Sequence, residues 1–473
     1  MKRGRECGMR RAWAAAPPVA VVGGGRRGPK GTILIVTMWI MLALAGLVLV
    51  LARAMRVEAI CSANGFSLLQ ADAVEQGAIQ YVLSRVDSLQ GEAPAEADTP
   101  CEAVRIGQGA FWIIRPDYED DYAGAYGIVD EAAKVNLNAA PLAMLSKLPG
   151  MTDELAASIV DWRDGDGTIT PGGAESEYYL LLDDPYQCKN APLETVGELF
   201  LVKGATRDIL LGEDVNRNGV LDINEDDADV SDPPDNQDSR LDRGVAAFVT
   251  VYSAEQNVAS DGGNRINVND SQTQALFELL QENTSVDRAA AILVRTRQER
   301  PFQNLLDFYA RTGLTMAEFQ TVADRLTTTS DKVRRGLINV NTAPPQVLAC
   351  LPELDDSDVS DLLVQRAGAD DLSSIAWVAE ALPPAKARAI GGLITTRSYQ
   401  FSADIVSVAG DGRAFKRCRI VIDAQTSPPK VVYRQDLTHL GWPLAPEILT
   451  MLRTGVSLDD IAPGATAAQE VAR

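Results

Sequence analysis

The chain has 473 residues, of which 46% are apolar and 23% charged, and its formal net charge is −21. That length allows two to four domains, or one domain with a large insertion. The charge is polarised, +7 over residues 1–31 and −28 over the remainder, which excludes nucleic acid as a favoured partner of the body while holding the basic head at a cytoplasmic leaflet.

In chain order, the basic leader 1–31 gives way at Gly31–Thr32 to "TILIVTMWIMLALAGLVLVLA", 21 residues without a charge. At about 1.5 Å per residue such a run crosses a hydrocarbon core of about 30 Å. It exceeds the apolar core of a cleaved signal peptide, and "LARAMRVEAI" behind it makes a poor cleavage site. Apolar residues continue at helical spacing through Ile60, Phe66, Leu69, Val74, Ile79 and Val82, so one helix is expected over 32–90. The junction resembles that of a type IV prepilin. The resemblance implies cleavage after Gly31 by a prepilin peptidase, with Thr32 as the new terminus and the helix kept in the inner membrane lipid. Most pilins carry Glu at the fifth mature position; here it is Val36.

Strands are expected over 100–134, in "VRIGQGAFWIIRPDY" and "YAGAYGIVDEAAKVNLN", and again over 396–440, in "YQFSADIVSVAG", "RAFKRCRIVIDAQ" and "KVVYRQDL". Between them, 135–395 is mostly helical in pattern; 441–473 is left as a tail. The simplest architecture is an α+β fold: an N-terminal transmembrane pilin-type helix and an antiparallel sheet whose first and last strands pair around a helical insertion.

The insertion writes Asn-x-Asn three times, at Asn136–Asn138, Asn267–Asn269 and Asn339–Asn341. Each precedes an apolar-periodic helix: Leu142, Met144, Leu145 and Leu148; Leu276, Leu279 and Leu280; Val347, Leu348 and Leu351. The second Asn of each copy (Asn138, Asn269, Asn341) is expected to be the N-cap. A turn and a second helix follow, "LAASIVDWRD", "VDRAAAILVRTRQ" or "VSDLLVQRA", making helical hairpins. The first copy resembles the helix-hairpin-helix of competence-type DNA receptors, where a hairpin Gly-x-Gly offers N–H groups to phosphate. Here the corresponding residues are Gly150-Met151-Thr152 and Glu353-Leu354-Asp355, and the acidic body opposes counterion release. A membrane-anchored DNA-uptake receptor is therefore the alternative function; packing or protein-interaction units are the favoured one.

Residues 213–242 hold eleven Asp/Glu and two Arg. Within them "DVNRNGVLDINE" fits the calcium loop D-x-[DN]-x-[DN]-G-x5-E throughout. Asp214, Asn216 and Asn218 fill positions 1, 3 and 5, Gly219 makes the turn, Val220 offers its carbonyl, Asp222 is ninth and Glu225 twelfth. Hard oxygen donors at this spacing point to a structural Ca²⁺. No helix pattern follows Glu225, so the expectation is a loop and not a full EF-hand; "DNQDSRLD" is a weaker second candidate. Asp161, Asp164 and Asp166 in "DWRDGDG" suit turns and caps better than hydrolysis. His439 is the only histidine, and none of the six cysteines forms a C-x-x-C pair. Triad, zinc and thioredoxin chemistry lack support, and no catalytic residue is proposed. If the body is exported, disulfides among Cys61, Cys101, Cys188, Cys350 and Cys418 are open, with no pairing readable from sequence.

Taken in order, "KGTILIVTMWIMLALAG", "VNLNAAPLAMLSKLPGM", "IVDWRDGDG", "PGGAESEYY", "LETVGEL" and "INVNTAPPQVL" resemble the type II secretion minor pseudopilin K family. The family lacks the fifth-position Glu, in agreement with Val36. The resemblance implies a pilin helix and sheet interrupted by an α-domain with SAM-like or hairpin modules. It further implies a place at the pseudopilus tip with minor pseudopilins I and J, above the major pseudopilin, where assembly starts and protein export is supported. It also implies calcium binding, with no ligand positions carried over. The long leader and the copy at Asn267–Asn269 go beyond the simplest family pattern.

Overall fold

The computed structural model describes residues 32–94, 99–228, 230, 233–369 and 371–456. Gly31 lies outside the described residues; Thr32 is the first residue of the N-terminal helix, Thr32–Leu89. Residues up to Ala63 form one unit and residues from Asn64 onward a second. In the first unit Ile33 to Leu51 is apolar and exposed, and this helix alone among the described residues is long and apolar enough to cross a membrane. In the second unit the same helix buries Val74, Ala78, Val82 and Val86, a spacing of four that puts them on one face.

The strands after the helix are β1 (Val104–Ile106), β2 (Gly109–Arg115), β3 (Ala125–Tyr126) and β4 (Val129–Asp130). The insertion then contributes β5 (Val135–Asn136), β6 (Val249–Thr250), β7 (Ala254–Gln256), β8 (Ile266–Asn267), β9 (Leu326–Thr327), β10 (Val333–Arg335), β11 (Ile338–Asn339) and β12 (Ile394–Thr395). The last three are β13 (Gln400–Val408), β14 (Phe415–Asp423) and β15 (Lys430–Asp436). The main sheet runs β1-β2-β13-β14-β15, with β3 on β2 and β4 on β13, all antiparallel. First and last strands therefore pair around the insertion, β2 against β13.

Alternation along the strands assigns the two faces. Phe111, Ile113, Phe401, Ala403, Ile405, Ile420 and Ile422 meet the buried side of the N-terminal helix. Trp112, Ile114, Val406 and Val408 point the other way, toward Ile448, Leu449 and Leu452 of a helix Pro446–Arg453. That helix falls in the segment read as a tail. Its signals were a Pro at its first position and apolar residues at 448, 449 and 452. β13 is buried along its whole length because both faces are covered.

The three Asn-x-Asn copies are three modules of one plan. Each opens on a two-residue strand and closes on another that pairs with it in parallel: β5 with β6, β8 with β9, β11 with β12. Between them stand the short first helix and a longer second one, Asp153–Arg163, Val286–Glu299 or Asp356–Gly368. The N-cap expectation for the second Asn is corrected. The residues ahead of the first helices are Pro141, Thr273 and Pro344, and none makes a side-chain cap bond. Asn138 instead accepts the Leu193 N–H on Oδ1 at 2.8 Å and donates Nδ2–H to the Leu193 carbonyl at 2.9 Å. Asn269 does the same with Phe302, at 2.8 and 2.9 Å. Asn341 donates to the Leu372 carbonyl and accepts from the Trp377 indole. A side-chain amide can pair with a peptide group as another strand would, and these three tie each module's start to a distant segment. The first Asn of each copy shapes the turn, accepting the N–H two residues on. Among the described residues Cys61, Cys188, Cys350 and Cys418 are free thiols, Cys61 exposed and the other three buried.

Candidate functional site

The acidic loop sits against the sheet, and a buried arginine holds it there. Arg417 on β14 is fully buried and forks onto Asp404 of β13, with Nε and Nη2 both 2.9 Å from the carboxylate. Its outer edge donates to the backbone carbonyls of Asn216 and Arg217, each at 2.6 Å. Planar guanidinium geometry lets one side chain satisfy a carboxylate and two carbonyls together. Three more ties fix the loop: Asn218 Nδ2–H to the Pro443 carbonyl, the Leu221 N–H to the Asp121 carbonyl, and Arg243 to the Gly219 carbonyl.

Within the loop the predicted positions fold onto one another. Asp214 accepts the N–H groups of Asn218 (2.9 Å) and Gly219 (3.2 Å). Asn216 and Asn218 accept the N–H groups of Asn218 and Val220, both at 2.8 Å. The two Asn amides converge on Asp222 Oδ2, at 2.6 and 2.9 Å, and Glu225 accepts the Asp222 N–H at 3.1 Å. Gly219 has φ +76° and lies so close to Pro116 that a Cβ would stand 2.9 Å from its Cα, so glycine is required at the turn. Among the described residues no helix follows the short turn Ile223–Glu225 until Val245.

The carboxylates are uncomfortable where they are. Glu225 is 1% exposed and its Oε1 is buried without a hydrogen-bond partner. Burial pushes its pKa up to about 8, and the nearby Asp214 and Asp222 add to this. Burial likewise raises Asp214 to about 6. An orphaned buried carboxylate oxygen beside two more carboxylates and two amides is a donor set that fits a hard divalent cation. Among the described residues no three His, Cys, Asp or Glu side chains form a metal-binding group by themselves. Such a site would need the amide and backbone oxygens as well. The segment read as a weaker second candidate, from Asp235 to Asp242, instead wraps Glu213, which accepts the N–H groups of Asn236 and Asp242.

A second oxygen-rich place was missed in the sequence. Glu175 is 4% exposed and both its carboxylate oxygens lack partners; Asn190 Oδ1 is also buried and unpartnered. Burial raises the pKa of Glu175, with Asp161 and Asp164 contributing. Asp161 accepts the Thr170 N–H and Asp164 ends the helix Asp153–Arg163. The turn and cap roles are thus present, and Glu175 faces their charge. Its sequence neighbourhood, "PGGAESEYY", carries no metal-ligand spacing that would have flagged it.

The family match falls on this part of the chain. Residues 128–211 match the family model of type II secretion system (T2SS) protein K. Four of the six motifs that carry the resemblance lie inside that stretch, from "VNLNAAPLAMLSKLPGM" to "LETVGEL". Among solved structures, a chain of the crystal structure of the GspK-GspI-GspJ complex from the enterotoxigenic Escherichia coli type 2 secretion system is similar. It is 14% identical, with 78% of this chain and 96% of that chain covered at a TM-score of 0.38. No curated protein matches.

Proposed function

We propose that the chain is a minor pseudopilin of a type II secretion system. Prepilin peptidase cuts after Gly31, the exposed apolar run anchors the protein in the inner membrane, and the body faces the periplasm. It joins minor pseudopilins I and J at the tip of the pseudopilus, above the major pseudopilin, where it initiates assembly and supports export across the outer membrane. The observation that carries this reading is the single helix Thr32–Leu89, exposed and apolar at its start and packed on an antiparallel sheet at its end, in a chain whose residues 128–211 match protein K. Val36 agrees with it: a buried carboxylate is expensive unless paired, and a tip subunit has no subunit ahead to pair with.

Calcium takes a structural part in this reading. Asp214, Asn216, Asn218, Val220, Asp222 and Glu225 hold one cation, which neutralises the crowded carboxylates and keeps the loop on Arg417. The test of the assembly role is co-purification of the full-length chain with its I- and J-type partners from detergent extracts. Deletion of the gene must also stop secretion. Failure to co-purify together with normal secretion in the deletion strain would refute the proposal.

A further inference from the structure

Between the sheet face and the insertion lies a cavity of about 300 Å³. Five basic side chains line it, Arg115, Lys134, Arg217, Arg243 and Arg419, against three carboxylates, Glu131, Asp214 and Asp404. In a chain of net charge −21 this is a local reversal of sign.

The carboxylates are already engaged. Asp404 holds Arg417 at 2.9 Å and Arg419 at 3.1 Å. Glu131 takes Lys134 at 2.6 Å and the hydroxyls of Ser402 and Thr250. Asp214 is occupied by the loop's own N–H groups. Arg243 is held by Asp121 at 2.7 Å. Arg217 is left over. Among the described residues its guanidinium has neither an ion-pair nor a hydrogen-bond partner, and its Nε is buried. Its backbone is fixed at φ +56° by the loop turn, with its carbonyl on Arg417, so the side chain is carried to the cavity wall by a rigid element. A half-buried cation beside Arg419 and Arg417, near Asp214 and Asp404 but in direct contact with neither, is a cost that an anion would lower.

Part of the remaining wall is apolar, beside polar residues such as Thr195, Ser402 and Gln435. Leu211, Ala246, Val249 and Phe200 come from the insertion and Val421 from the sheet; Phe200 is 49% exposed at the rim. A cavity with an apolar wall and a few convergent charged groups selects an amphiphilic ligand. We propose that this cavity binds an organic carboxylate, its anionic head between Arg217 and Arg419 and its apolar body against the insertion. Guanidinium groups match a carboxylate in plane and in spacing. The same chemistry is offered by a free aromatic or aliphatic acid and by the C-terminus of a peptide that ends in an apolar residue.

The experiment is isothermal titration of the purified full-length chain in detergent micelles, with calcium and again with chelator. Three probes are used: 3-phenylpropionate, a pentapeptide acid ending in Phe, and the same peptide as its amide. Submillimolar binding of an acid is expected, weakened about tenfold or more by amidation and by Arg217→Gln. Arg419→Gln serves as the second variant, since Asp404 keeps Arg417; a melting curve checks that each variant is folded. Binding of the peptide acid alone assigns the site to a chain terminus, and binding of both acids assigns it to small carboxylates. Equal binding of acid and amide, wild-type binding by both folded variants, or no binding of either acid would overturn the proposal.

Discussion

Arg163 and Arg366 are the same clamp in two modules. Arg163 donates from the end of its helix to the carbonyls of Leu137 and Ala140, and Arg366 to those of Val340 and Ala343. The middle module reaches only one such carbonyl, that of Val268, from Arg300. Each clamp joins the end of a module's second helix to the turn that follows its opening strand. Replacing Arg366 by Met orphans two carbonyls, and a loss of about 2–3 kcal/mol is expected. Arg366→Lys should recover only part of it, because an ammonium lacks the fork. Denaturant unfolding of the full chain in detergent measures both; a wild-type midpoint for Arg366→Met would show the clamp to be idle.

The second asparagines need both ends of their amide. Asn138→Asp keeps an acceptor for the Leu193 N–H but sets a carboxylate against the Leu193 carbonyl, so it should cost as much as Asn138→Ala, about 1–3 kcal/mol. Had Asn138 been an N-cap, Asp would have replaced it freely. Unfolding midpoints of the two variants decide between the roles.

Glu318 supplies a pH signature. Two hydrogen bonds from Arg288, both 2.9 Å, and the capping box with Thr315 hold its pKa at about 2, below the ordinary 4.5. A depressed carboxylate stabilises the fold above its unfolded pKa and loses that contribution as pH falls through the folded one. Wild type should exceed Glu318→Gln by about 1–2 kcal/mol at pH 6, with the gap closing between pH 5 and pH 2. A gap independent of pH would mean that shape, not charge, is what the Gln disturbs.

Calcium should raise the melting temperature of the full chain relative to chelator. Ligand binding stabilises by mass action, about 2.7 kcal/mol at a hundredfold excess over Kd. Glu225→Gln and Asp214→Asn should each remove most of that gain. Equal melting in calcium and chelator would strike the loop from the account.

Processing is checked by intact mass. The mature protein should begin at Thr32 and keep its apolar run, and loss of peptidase activity should leave residues 1–31 attached. A terminus near Ala59 would mark an ordinary signal peptide instead.

Much of the fold could be read from the letters. A charge-free run gives the N-terminal helix, β-branched and aromatic runs give β2, β13 and β14, and apolar spacing gives the module helices, because burial of one face imposes those periods. The pairs β5–β6, β8–β9 and β11–β12 could not be read, since two residues are too few to show alternation. The second asparagines were misread for a related reason. A cap and a clamp need the same letter, and only the clamp's partner, 55 residues away for Asn138, tells them apart. In the loop, the spacing of Asp214, Asn216, Asn218, Asp222 and Glu225 was visible, as was the need for Gly219. The seat under it was not. Arg417 stands in "RAFKRCRIVID" among other basic residues, and nothing local marks it as the one that turns inward onto Asp404.

The chain leaves the sheet at Asp130 and re-enters it at Gln400, and Asp130 is the register partner of the next residue, Phe401, across β4 and β13. Everything from Glu131 to Tyr399 thus hangs from one doorway a strand spacing wide. Evolution can lengthen, shorten or duplicate what lies beyond such a doorway without the sheet having to change its pairing. Three modules hang beyond it, and the copy at Asn267–Asn269, whose arginine holds one carbonyl where its sisters hold two, is the least tightly fastened of them.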